Sequence, residues 1–115
     1  MIGGGGERKT LRLVARYGDV CNFFGSPNMV AHKIEVLRRR CDEVGRDIRD
    51  IEVTAFAEVG DSGTADDVLR SAEGFAAIGV TTVMARAMGA DPAGALETVY
   101  GPAMERLGRL QPRPL

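Results

Sequence analysis

Met1-Ile-Gly-Gly-Gly-Gly-Glu-Arg-Lys-Thr-Leu-Arg-Leu-Val-Ala-Arg-Tyr-Gly-Asp-Val-Cys-Asn-Phe-Phe-Gly25 reads as a strand end, a glycine loop, a helix and a second strand. Gly3, Gly4, Gly5 and Gly6 lack a Cβ, so the backbone can take positive φ and let a ligand come close. The helix that follows offers unsatisfied N–H groups and the positive end of its dipole. A glycine loop entering a helix suits a phosphate. Leu11, Val14 and Ala15 fall on one helix face, Gly18 ends the helix, and Val20 to Phe24 resume as a strand. Neither a Walker A run nor the dinucleotide fingerprint is present. On these residues alone, a phosphate cradle and a plain flexible turn both stand.

The rest of the chain repeats the strand-helix rhythm. Ser26-Pro27 supplies an N-cap and a first helical proline. Val30, Ile34, Leu37, Cys41 and Val44 make one apolar stripe, with Glu35 and Arg39 spaced as a surface pair and Gly45 as the stop. Ile51, Val53, Ala55, Ala57 and Val59 alternate with Glu52, Thr54, Phe56 and Glu58, a strand with two distinct faces. The apolar odd set suits a helix layer. Glu58 then either points inward at the strand's C-terminal end or starts a solvated loop. Gly60 to Gly63 form that loop, and Thr64 with Asp67 makes a capping box. Val68, Leu69, Ala72, Phe75 and Ala76 line a third helix, and Val80 to Arg86 a fourth strand. Arg86 at its end could hold an anionic group, pair with Glu58, or form a rim salt bridge. Asp91-Pro92 opens the last helix, Gly101-Pro102 should kink or split it, and Pro112 and Pro114 suggest a frayed tail.

Strands alternating with helices predict an α/β fold with a parallel sheet and right-handed crossovers, four βα units in one domain spanning residues 1–115. Strands are expected near 1–3, 20–24, 51–58 and 80–86, and helices near 8–17, 27–44, 65–78 and 92–110. The net charge of −1, with 15 basic and 16 acidic residues interspersed, gives no field for nucleic acid or an anionic membrane. The Arg38-Arg39-Arg40 cluster reads as a solvated helix end. His32, the only histidine, reads as a surface residue, because a metal site needs partners and none is near in sequence. Cys21 and Cys41, with no C-x-x-C, read as reduced thiols. No apolar leader or membrane-spanning stretch is visible, so the expected location is the cytoplasm.

Ile2-Gly-Gly-Gly-Gly-Glu7, Thr10-Leu-Arg-Leu-Val-Ala-Arg-Tyr-Gly-Asp19, Cys21-Asn-Phe-Phe-Gly25, Val44-Gly-Arg-Asp47 and Ile51-Glu-Val-Thr54 together resemble the luciferase-like monooxygenases. The resemblance is to the branch of oxidoreductases that use the deazaflavin coenzyme F420. It covers the C-terminal half of the family's chain. It implies half of a TIM (β/α)8 barrel, a fold that needs ~250 residues when closed, beginning here inside a strand that the family leads with a proline. It further implies an oxidoreductase that transfers hydride between coenzyme F420 and a small organic substrate, or alternatively an oxygenase that uses reduced FMN. Gly3 to Gly6 would hold the cofactor phosphate, with Asn22, Phe23 and Phe24 beside it. Glu58 and Arg86 are substrate-facing candidates. No residue is assigned a catalytic role. The family's ring-binding strands come earlier than these, so the chain alone is expected to be inactive. The other reading is a non-catalytic half-barrel module that pairs with itself or with a separate N-terminal half, since open sheet edges invite pairing.

Overall fold

The computed structural model describes residues 1–58, 63–87 and 89–115, with Glu58 described by its backbone alone. The expected loop residues Gly60, Asp61 and Ser62, and Val59 of the odd set, lie outside the described residues. Four strands, β1 (Ile2–Gly3), β2 (Val20–Phe24), β3 (Glu52–Glu58) and β4 (Thr82–Arg86), form one sheet in the order β1-β2-β3-β4. Every pairing is parallel. Helices α1 (Thr10–Tyr17), α2 (Pro27–Val44) and α3 (Ala65–Ala76) provide the crossovers. Parallel neighbours need such long connections, which is why the helical stripes fall between the strands.

The helices cover one face of the sheet. Cys21 and Phe23 of β2 and Val53, Ala55 and Ala57 of β3 point into that layer, none more than 6% exposed. Leu11, Val14, Val30, Ile34, Leu37, Cys41 and Phe75 meet them from the helices. Val36 joins this core from outside the expected stripe, whereas Val44 at its end is exposed. Burial pushes the Cys21 thiol up to about 12 and raises that of Cys41 as well.

The helix ends carry the expected chemistry. Ser26 Oγ accepts from Met29 N–H at 3.4 Å. Thr64 and Asp67 exchange hydrogen bonds as a capping box, 3.2 Å to the Asp67 amide and 2.9 Å from the Thr64 amide. Gly45 closes α2 in the left-handed conformation at φ 70°. On α2 the partner of Glu35 is Arg38, three residues on, rather than Arg39.

The last helical stretch is split, as Gly101-Pro102 required. A first turn, α4 (Pro92–Ala95), runs into a wider π-type segment, Leu96–Tyr100, and then α5 (Gly101–Leu107). Gly101 N–H reaches back five residues to Leu96 O. Pro102 has no N–H and its ring crowds the carbonyl four residues back; widening the preceding turn relieves both. These segments pack on α3 through Ala103, Val99, Tyr100 and Leu107 against Val68 and Leu69, a cluster separate from the main core.

The tail is not frayed. Arg113 N–H donates to Ala76 O at 2.8 Å, and Leu115 packs against the main core. Gly79, at φ 91°, leaves the space: a Cβ there would strike Leu115 and lie 3.0 Å from Arg113 O.

Candidate functional site

All four strands point their C-terminal ends the same way, so the glycine loop after β1 shares an edge with Phe24, Glu58 and Arg86. Glycine fits the loop for different reasons, most strictly at Gly4. Gly4 takes φ 114°, which side chains rarely adopt. A Cβ on Gly5 would sit 3.2 Å from Lys33 Cε, and one on Gly6 would sit 2.8 Å from Thr10 Oγ1. The Gly4 amide donates to Asn22 O at 3.1 Å, and Leu11 N–H closes the turn onto Gly6 O at 2.9 Å. Among the described residues, the amides of Gly5 and Gly6 find no protein acceptor.

A lysine lies across this loop, at a position that no local pattern marks. Lys33 of α2 passes over Gly5, and its Nζ donates to Glu7 Oε1 at 2.8 Å. His32 Nε2 lies 3.0 Å from the same oxygen while its side chain stays 65% exposed, in keeping with its reading as a surface residue. Arg40 Nε donates to Glu7 O at 3.2 Å, so the arginine cluster is not wholly a solvated face. Hydrogen bonds from Lys33 first and His32 second hold the Glu7 carboxyl below the usual glutamate range. The lysine charge over the loop is therefore largely matched by Glu7.

Asn22 is 4% exposed. Its Nδ2 donates to Thr54 Oγ1 at 2.8 Å, and Thr54 Oγ1 donates to Cys21 O at 3.4 Å. Asn22 thus braces the loop from below through its carbonyl and the sheet through its side chain. Phe23 corrects the expectation: it is 1% exposed in the helix-side core and does not share the face of its neighbours. Phe24 lies on the other face, 63% exposed, stacked on Phe56 with ring centroids 5.7 Å apart and planes at 12°. These two rings, Arg86 and the Gly25-Ser26-Pro27 turn line a cleft of about 650 Å3. The glycine loop does not line it.

Glu58 and Arg86 stand in register across β3 and β4; the direction of the Glu58 side chain lies outside the described residues. Tyr100 OH donates to Arg86 O at 3.3 Å, which ties the last helical stretch to the end of β4. Among the described residues no group of three or more His, Cys, Asp or Glu side chains is placed to hold a metal, and no buried polar side chain lacks a partner. Among the described residues no helix is long and apolar enough to cross a membrane. The chain matches no family model, no curated protein and no solved structure.

Proposed function

We propose that this chain is the cofactor-phosphate-binding half of a luciferase-like (β/α)8 oxidoreductase, built for coenzyme F420 (alternative: FMN) and inactive by itself. The observation that carries this reading is the loop after β1: Gly5 and Gly6 present amides without protein acceptors, and Lys33 lies across Gly5. A phosphate seated there would accept from those amides and draw on Lys33 in competition with Glu7. When bound, the deazaflavin would supply hydride transfer, or reduced FMN the oxygenase chemistry; this chain would supply the anchor for the cofactor's phosphate. The resemblance in sequence adds the cofactor class, and the parallel order β1-β2-β3-β4 with helices on one face is compatible with half a barrel.

Two features predict no turnover from the chain alone. Exposed helix-terminus and charge contacts contribute ~0.3–1 kcal/mol each, too little to hold a whole cofactor. Rate enhancement also needs the reacting ring and substrate held in register, which in the family falls to earlier strands. The test is melting temperature with inorganic phosphate, coenzyme F420 and FMN added separately. A small shift with each phosphate-bearing compound is expected. Gly5→Val, which drives a side chain into Lys33 without straining Gly4, should erase the shift and leave the fold intact. An unchanged shift in that variant, or hydride transfer by the purified chain, sinks the reading.

A further inference from the structure

A folded chain of 12.3 kDa is expected to expose about 6,100 Å2 of surface. This one exposes 7021 Å2, roughly 900 Å2 beyond that scaling. Each partner of a standard-size interface hides about 800 Å2. The Cα radius of gyration, 15.1 Å, likewise exceeds the about 13 Å expected at this length, and extents of 46 × 27 × 20 Å describe a slab.

Apolar side chains stand exposed on both α1 and α5. Leu13 and Tyr17, one turn apart on α1, are 51% and 71% exposed. Arg12 and Arg16 line a groove with Arg40 and Glu43 of α2, so helical spacing places the Leu13–Tyr17 stripe on the flank of α1 away from α2. At the other end of the slab, Met104 is 61% exposed and borders a gap of about 470 Å3 that Val83 and Ala85 of β4 also line. Both outer strands run in the same direction. The end of one slab therefore offers a parallel edge and an apolar helix flank to the beginning of another.

We propose that two copies of this chain close head to tail around a two-fold axis into one eight-stranded parallel barrel. β4 and the last helical stretch of each copy would meet β1 and α1 of the other. The closure would pair the outer edges of β1 and β4 of the two copies and enclose the stacked Phe24 and Phe56. It rests on the half-barrel reading and not on any cofactor.

Sedimentation of the full chain without ligand, at micromolar concentration, should give the mass of two chains. A Leu13→Cys/Met104→Cys double variant should become a covalent dimer under mild oxidation, since Cys21 and Cys41 are buried and do not compete. Each single variant should stay non-covalent, because head-to-tail closure sets like positions apart. A monomer, self-crosslinking of either single variant, or a dimer whose double variant does not crosslink overturns the proposal. The mass is read without phosphate, so its failure is separate from failure of the phosphate shift.

Discussion

Phe23 and Phe24 are neighbours in one strand, yet one is 1% and the other 63% exposed. The same contrast runs through β2 and β3. On the helix side, Cys21, Val53 and Ala55 are fully buried; on the other side, among the described side chains, only Asn22 and Thr54 are closed off, and Phe24 is exposed; in β4 the contrast fades, with Val83 half-buried and Thr82, Ala85 and Arg86 exposed. Parallel sheets are ordinarily covered on both faces. The difference teaches that one face carries the packing of the chain, whereas the other is left largely open.

The sharpest break of that contrast is a pair of alanines. Phe23→Ala should destabilise the chain by ~3–5 kcal/mol through cavity formation. Phe24→Ala should cost about 1 kcal/mol or less, mainly the lost stacking with Phe56, when urea unfolding is followed in dilute solution. Equal costs would mean that the second face is packed as tightly as the first.

The next largest effect concerns the buried polar row between those extremes. Thr54→Val removes the acceptor of Asn22 Nδ2 and strands a donor at 4% exposure. A loss of ~1–3 kcal/mol is expected, measurable as a lower urea midpoint. The Asn22→Leu/Thr54→Val double variant should recover much of it, because no orphaned group remains.

The smallest effect comes from acid. Paired hydrogen bonds from Arg49, side chain first and then backbone, lower the Asp47 carboxyl from 3.8 to about 2. A carboxyl depressed in the folded state stabilises above its unfolded value and loses that contribution as pH falls. Stability should therefore slip as pH falls from about 4 towards 2, and Asp47→Asn should flatten part of that slope. Glu7, lowered by Lys33 and His32, carries the same sign. Urea midpoints taken across this range would show it; a slope identical in Asp47→Asn would remove Asp47 from the account.

Periodicity made most of the fold legible. The expected strand at 20–24 and the helix at 27–44 match β2 and α2, because each has strong punctuation at both ends. The period of two also separates Phe23 from Asn22 and Phe24, so reading those three as one ligand-facing block overrode information already present. Lys33 was beyond reach: its contact with Glu7 joins positions 26 apart, and nothing local marks which lysine on a polar helix face will cross a loop. The docked tail was hidden for a similar reason. Pro112 and Pro114 exclude regular structure, but a chain without a ladder can still hydrogen-bond and bury its last side chain.

Cys21 and Cys41 give the protein two internal clocks. A thiol reacts as its thiolate, and in the closed fold both are fully buried with their ionisation pushed upward. An alkylating reagent will mark each only when its surroundings open. Cys21 lies in β2 within the sheet, and Cys41 in α2 within the outer layer. The order in which the two are marked would time the release of the helix layer against the opening of the sheet, with no residue substituted.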